Sequence, residues 1–214
     1  MILKNTLLLA FTILGLSVSA QDWSTSKYKY NELYEGYVVT AEGEKIEGYV
    51  KYRNRYVMQE EVIFYKTKTG TKKKYMANQL MEYKVADKLY HCINYSGGAS
   101  ISQIRANLVV NGEGCIKEYV WYDRASGYNT LKKREGETDK EFGDRKFPPT
   151  TVYFKQGDEM AVTAAYFSKD FTKKMSAYVK PQKELYKKVK SAQSGYSKPF
   201  NLEAIFKEYN ENCK

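Results

Sequence analysis

The spacing of apolar residues changes once along this chain, close to Thr163. From Tyr34 to Val162 they recur at every second position, which is the period of a β-strand with one buried face. After Thr163 they recur at every third or fourth position, which is the period of an amphipathic helix. The sequence therefore predicts a sheet followed by helices, an α+β fold.

Five short polar segments divide the alternating part, and each contains Gly, Asn or Asp, residues that tight turns favour. The segments are 42–44, 69–71, 87–88, 111–114 and 156–158. Because tight turns join only antiparallel strands, five successive hairpins predict an antiparallel β-hairpin sheet, in the form of a roll or an open barrel.

Three helices are predicted in the C-terminal segment. The apolar repeat of the first extends from Phe167 to Val179, and Ser168 is placed to cap its first turn. Pro181 suits the first turn of the second helix, and Asn201 can cap the third. Each helix has one apolar stripe, so the three must pack on one another or on the sheet.

The first 20 residues have the features of a signal peptide. A basic start is followed by the apolar run Thr6 to Val18 and by small residues ending at Ala20. The run is shorter than the roughly 20 residues that span a bilayer. We expect cleavage after Ala20 and an exported chain without a transmembrane span, located in the periplasm, at the outer membrane or outside the cell.

The remaining chain divides into a β-rich region, 21–163, and a helical region packed on the sheet, 164–214. A polar loop, 123–150, with seven basic and six acidic residues, interrupts the β-rich region. It carries Asp139, Glu141 and Asp144, whose spacing does not match a Ca²⁺-binding loop. The function that we expect is a non-catalytic binding or structural module of the cell envelope. These carboxylates define the alternative, an envelope hydrolase that acts on a glycan or a peptide.

Few residues are suited to catalysis or to metal binding. The only histidine, His91, precedes Cys92 on a predicted strand, where adjacent side chains point to opposite faces. The chain has none of the paired Cys or His spacings of metal sites. We therefore predict no catalytic residue, no cofactor and no metal, and a protein that is not an enzyme. His91 lies between Leu89 and Ile93 on one face, which predicts a half-buried, hydrogen-bonded imidazole.

The formal net charge is +10, and two lysine-rich segments, 66–74 and 169–190, together carry more than this excess. Since an exported chain does not meet nucleic acid, the partners that this charge favours are an anionic glycan, a lipid surface or an envelope protein. A solvated, solubilising face is the alternative. The lysines of the predicted binding face are Lys66, Lys68, Lys72, Lys73, Lys74, Lys173, Lys174, Lys187 and Lys188.

The chain contains 21 tyrosines. Tyr is a good strand residue, so a structural role in the sheet is one interpretation. Its ring also stacks on sugars, so a sheet rich in Tyr and Lys could instead bind a glycan or an extended peptide. The sequence leaves both interpretations open.

Three cysteines allow at most one internal disulfide in an exported chain. Cys92 and Cys115 both lie on predicted strands of the same sheet, and they are the candidate pair. Cys213 is then left over, either as an inert thiol or as the site of a disulfide-linked homodimer.

Two segments resemble a family of exported, functionally uncharacterised proteins common in Bacteroidota. The first is the hairpin Glu35 to Val50 with the strand Glu61 to Phe64, and the second is the ending Leu202 to Cys213. The resemblance implies a shared fold and an envelope location. In that family the terminal Cys tends to face a Cys that precedes a Pro. Here that position is Lys180, which implies that Cys213 has lost its partner.

Overall fold

The computed structural model describes Thr25, residues 27–95 and residues 103–213. The predicted signal peptide, its cleavage site and the small-residue segment 96–100 lie outside these residues. Ten strands are described: β1 (Leu33–Thr40), β2 (Lys45–Lys51), β3 (Glu61–Tyr65), β4 (Lys72–Met76), β5 (Leu80–Val85), β6 (Lys88–Tyr95), β7 (Gln103–Asn111), β8 (Ile116–Tyr122), β9 (Pro149–Lys155) and β10 (Val162–Thr163).

Five α-helices are described: α1 (Asp139–Lys146), α2 (Ala164–Ser168), α3 (Phe171–Tyr178), α4 (Lys183–Lys190) and α5 (Leu202–Asn212). Short 3₁₀ turns precede β3, β5 and α5; they are Val57–Gln59, Ala77–Gln79 and Pro199–Asn201.

The ten strands form one antiparallel sheet in the order β10-β9-β8-β7-β6-β5-β1-β2-β3-β4. The predicted hairpins are β1–β2, β3–β4, β5–β6, β7–β8 and β9–β10, and all five are confirmed. The sheet is open, with β4 and β10 as its two edges. The α+β prediction is confirmed, and closure into a barrel does not occur.

One side of the sheet, which we call the core face, carries the main hydrophobic core. Val38, Val50 and Leu108 are buried on it. Tyr83 and Tyr90 face each other on β5 and β6, where both are fully buried and their rings stack with centroids 4.6 Å apart. Ten of the 21 tyrosines are buried, so nearly half of the tyrosine content serves the interior.

The helices pack at the β8–β9 end of the sheet. Ile116 of β8 and Tyr153 of β9 join a cluster with buried residues of α2 to α5. The helical segment has four helices where three were predicted. Asp170 adopts a left-handed conformation (φ 60°), which separates α2 from α3. Ser168 is accordingly the last residue of α2 and not an N-cap, and its hydroxyl donates back to the carbonyl of Ala164.

The opposite side of the sheet, the outer face, carries a smaller apolar cluster around Tyr119, Trp121 and Val152. Ala161, in the loop between β9 and β10, joins this cluster, and its amide donates to the carbonyl of Asn94 on β6 (2.9 Å). Because β7 and β8 lie between β6 and β9 in the sheet, the β9–β10 loop folds over the outer face.

The polar segment 123–150 contains regular structure, which was not predicted. Thr138 caps α1, its hydroxyl accepts from the amide of Glu141, and the Glu141 carboxylate accepts from the amide of Thr138. The Thr-x-x-Glu spacing of a capping box was therefore the overlooked sequence signal.

Candidate functional site

Five exposed lysines lie on the hairpin at one edge of the sheet. We call Lys66, Lys68, Lys72, Lys73 and Lys74 the hairpin lysines; they occupy the β3–β4 turn and β4 itself. Lysines on an edge strand keep it from pairing with another sheet. The same positions also concentrate positive charge at one end of the molecule.

Within the part of the chain that the structure describes, most hairpin lysines have no carboxylate partner. Lys74 forms an ion pair with Glu61, and the ammonium of Lys73 lies 4.5 Å from the ring centroid of Tyr75. Among the described residues, Lys66, Lys68 and Lys72 make no ion pair. Their charge therefore remains available to a partner.

Two tyrosines form a row with these lysines on the outer face. Tyr49 pairs directly with Tyr65 across β2 and β3, and Tyr65 pairs with Lys72 across β3 and β4. The ammonium of Lys68 lies 5.2 Å from the centroid of the Tyr49 ring. We call Tyr49, Tyr65, Lys68 and Lys72 the tyrosine–lysine row. Both tyrosines are half-buried, so their rings are held in place and still meet solvent.

The other predicted binding lysines lie elsewhere and are mostly engaged. Lys173 and Lys174 are on α3, Lys187 and Lys188 on α4, and seven strands separate β4 from β9 in sheet order. The ammonium of Lys174 donates to the backbone carbonyl of Tyr166 (2.6 Å). Lys187 pairs with Glu184, and Lys188 pairs with the carboxylate of Glu208, each at 2.8 Å.

The loop carboxylates take part in structural contacts. Asp139 pairs with Lys133 (2.8 Å), and Glu141 belongs to the capping box of α1. Asp144 pairs with the buried guanidinium of Arg55. Burial works to raise the pKa of Asp144, but hydrogen bonds from Lys140 and Arg55 outweigh it and lower this pKa. The arrangement gives no support to hydrolysis through these groups.

The disulfide joins Cys115 to Cys213, so the predicted Cys92–Cys115 pair is wrong. Cys92 lies on β6 and Cys115 directly precedes β8, with β7 between the two strands. Strands two apart are about 9–10 Å from each other, which exceeds the reach of a disulfide. The implication that Cys213 has no partner is overturned as well, and the thiol needed for the predicted linked homodimer is consumed.

Asn210 joins α5 to the same strand. Its side-chain oxygen accepts from the amide of Ile116 and its side-chain nitrogen donates to the carbonyl of Ile116, both at 2.8 Å. Gly114 has φ +79°, and a Cβ there would lie 2.4 Å from the Asn210 side chain. We call Gly114, Cys115, Asn210 and Cys213 the C-terminal latch.

The remaining cysteine has a weakly nucleophilic thiol. The thiol of Cys92 is free, and burial raises its pKa to about 12. A thiol with this pKa is almost entirely protonated at neutral pH, and the thiolate is the nucleophilic form.

His91 is half-buried and hydrogen-bonded, as predicted. Its Nδ1 lies 3.1 Å from the hydroxyl of Tyr119, and its Nε2 lies 3.6 Å from Oε2 of Glu82. The other carboxylate oxygen of Glu82 accepts from the hydroxyl of Tyr37 (3.0 Å). Burial and the charge of Lys117 lower the pKa of His91 more than Glu82 raises it. The imidazole is therefore neutral at pH 7.

Apart from Tyr37, these residues line a pocket on the outer face. Its volume is about 400 Å³, and Glu82 and His91 form one wall. Lys117 and Tyr119 of β8 form another, and Phe154 leads from β9 into the loop that folds over the sheet. We call this the outer-face pocket. The apolar pattern predicts that His91 lies in the sheet, but it does not predict the pocket, because the β9–β10 loop completes it.

Within residues 27–95 and 103–213, no helix is long and apolar enough to cross a membrane. Over this same part of the chain, no three His, Cys, Asp or Glu side chains are grouped so that they could hold a metal ion. Comparisons with protein-family models, with curated proteins and with solved structures find no match. The resemblance to exported proteins of Bacteroidota therefore stays a prediction.

Proposed function

We propose that this chain is a non-catalytic binding module for an anionic polymer, and that the polymer is an acidic glycan. The tyrosine–lysine row is the observation that carries the proposal. Two adjacent phenol rings offer a platform for the apolar faces of sugar rings, and Lys68 and Lys72 flank them with charge that no carboxylate of the described residues pairs with.

The hairpin lysines favour this surface over the helix lysines. A lysine that already forms a short ion pair contributes less binding free energy to a new anion, because the new contact partly replaces the existing ion pair. Lys187 and Lys188 are in that situation, whereas Lys68 and Lys72 are not. The long-range field of the net positive charge would add steering toward an anionic chain.

The chemistry of the candidate reactive groups supports a non-catalytic role. The free thiol of Cys92 has a raised pKa, and the loop carboxylates are engaged in local contacts. An export signal at the N-terminus would bring the module to the cell envelope, where acidic glycans, lipid headgroups and envelope proteins are the available polyanions.

Titration with polygalacturonate tests the proposal, with neutral dextran and anionic lipid vesicles as parallel arms. The chain should bind polygalacturonate, bind it more weakly as salt rises, and leave dextran unbound. Replacement of both Lys68 and Lys72 by Gln should weaken binding about tenfold. The double variant of Lys173 and Lys187 to Gln loses the same charge and should bind as the unmodified chain does.

The replacement of Tyr65 by Leu separates a glycan from other polyanions. It keeps apolar bulk in the sheet and removes the ring, so glycan binding should fall while folding is retained. Equal losses from the two double lysine variants would refute the assignment to the hairpin. Binding to vesicles but not to polygalacturonate would replace the glycan with a lipid surface.

A further inference from the structure

The outer-face pocket shares no residue with the tyrosine–lysine row, so it is a separate site and does not rest on the function proposed above. The β9–β10 loop gives it a wall that an open sheet lacks. This loop is held in place by the bond from Ala161 to Asn94, with Ala161 itself buried. The pocket is therefore part of the folded structure.

Glu82 supplies a fixed negative charge at one side of the pocket. Tyr37 donates to one of its oxygens, and His91 lies beside the other. The carboxylate beside Nε2 favours the tautomer with its proton on Nε2, which leaves Nδ1 to accept from the hydroxyl of Tyr119. These contacts orient Glu82, but a neutral imidazole does not cancel its charge.

Lys117 supplies a positive charge that is likewise not cancelled. It is half-buried on β8, and it makes no ion pair with any residue of the described chain. Its four-carbon stem lets the ammonium adjust its position. Within the described residues, the pocket thus holds one carboxylate and one ammonium that form no ion pair with each other or with a further charged side chain.

Apolar surface completes the lining. Met81 is 56% exposed at the mouth of the pocket, and the rings of Phe154 and Tyr119 and the side chain of Ile93 contribute further apolar area. An apolar lining with a few polar groups is typical of sites that bind small molecules.

We propose that the outer-face pocket binds a small zwitterion with an apolar side chain, an amino acid in its free form. The ammonium of the ligand contacts Glu82, the carboxylate contacts Lys117, and the apolar side chain packs on Met81 and Phe154. A ligand with only a positive group would leave Lys117 without an ion-pair partner, and a ligand with only a negative group would be repelled by Glu82. A neutral sugar would form an ion pair with neither residue.

Calorimetric titration of the whole chain with three related compounds tests this proposal. L-phenylalanine carries both charges, phenethylamine carries the ammonium only, and phenylpropionate carries the carboxylate only. L-phenylalanine should bind about tenfold more tightly than either analogue, because each analogue loses one charge-assisted contact.

The variants assign each charge to its partner. Lys117→Met should lower the affinity for L-phenylalanine to that for phenethylamine, and Glu82→Gln should lower it to that for phenylpropionate. Lys84→Met removes a charge from the outer face of β5 outside the pocket, and it should change nothing. Thermal melting of each variant checks its fold.

Three results would overturn the proposal. The first is equal affinity for all three compounds, and the second is no saturable binding up to about 10 mM ligand. The third is an unchanged affinity in a folded Lys117→Met variant. The comparison of compounds needs no variant, so it remains decisive if a substitution prevents folding. Loss of polygalacturonate binding alone leaves this proposal intact, because the two sites share no residue.

Discussion

Replacement of Cys213 by Ser opens the loop that the disulfide closes. The two cysteines are 98 positions apart, so the bond restricts the unfolded chain over almost half its length. In the chain-entropy description, a closed loop of about 100 residues lowers the entropy of the unfolded state by about 16 cal/mol/K. This corresponds to about 4.7 kcal/mol at 25 °C, and strain or residual structure usually reduces it.

We expect a loss of about 3–4 kcal/mol in the free energy of unfolding, and a fall of roughly 10 °C in melting temperature for a chain of this size. The folded state should persist, because Asn210 still holds α5 to β8 and the helices keep their buried cluster. The loss acts mainly through the unfolded state.

Urea unfolding with and without dithiothreitol provides the assay. Reductant should destabilise the unmodified chain as much as Cys213→Ser does, and it should have no further effect on that variant. The matched control is Cys92→Ser, which must stay sensitive to reductant because Cys92 is the free thiol. If Cys92→Ser removes that sensitivity and Cys213→Ser does not, the pairing described here is refuted.

Three further substitutions test individual contacts by urea unfolding. Asn210→Ala should cost about 1–3 kcal/mol, because the β8 backbone loses two partners, and a cost below about 0.5 kcal/mol would contradict the latch. Asp144→Asn should cost about 2 kcal/mol, since it leaves the buried guanidinium of Arg55 without a full counter-charge; an unchanged midpoint would contradict this. Burial and the nearby Glu203 raise the pKa of Glu118. Its charged form therefore weakens the fold above that pKa. Glu118→Gln should stabilise the chain at pH 7, and this gain should shrink as pH falls through the folded pKa; the same gain at both ends would refute the argument.

The strands and hairpins could be predicted because their signals are local. Gly43, Gly70 and Gly157 lie in turns, and the alternation on either side assigns each residue to a face. The helix boundaries were less accurate, since Asp170 interrupts a pattern whose apolar spacing continues past it. The spacing of apolar residues indicates which face of a helix is buried, but it does not indicate the residue at which the helix ends.

The disulfide could not be predicted because it depends on strand order and on where α5 packs. The residues that accompany the disulfide can be recognised in the sequence only once the structure is known. In the ending Tyr209 to Cys213, Tyr209 enters the core, Asn210 bonds to β8 and Cys213 forms the disulfide. Gly114 must be small so that Asn210 can approach. The outer-face pocket escaped prediction for a similar reason, since it joins residues of β5, β6, β8 and β9 with the β9–β10 loop.

The sequence alone also does not distinguish the hairpin lysines from the helix lysines as a binding surface. The sequence marks both as dense in positive charge. The pair of Lys187 with Glu184 is local to α4, but only the packing of α5 reveals that Lys188 pairs with Glu208. The alignment of Tyr49, Tyr65 and Lys72 also depends on cross-strand register. That register is what singles out the hairpin as the candidate glycan surface.

Chemical-shift mapping of the labelled chain with a short oligogalacturonate tests the central claim most directly. The account predicts shifts concentrated in β2, β3 and β4, with the largest changes at Tyr49, Tyr65 and Lys72, and their reversal at high salt. Shifts concentrated on α3 and α4, or no shifts at a saturating concentration of the oligosaccharide, would contradict it.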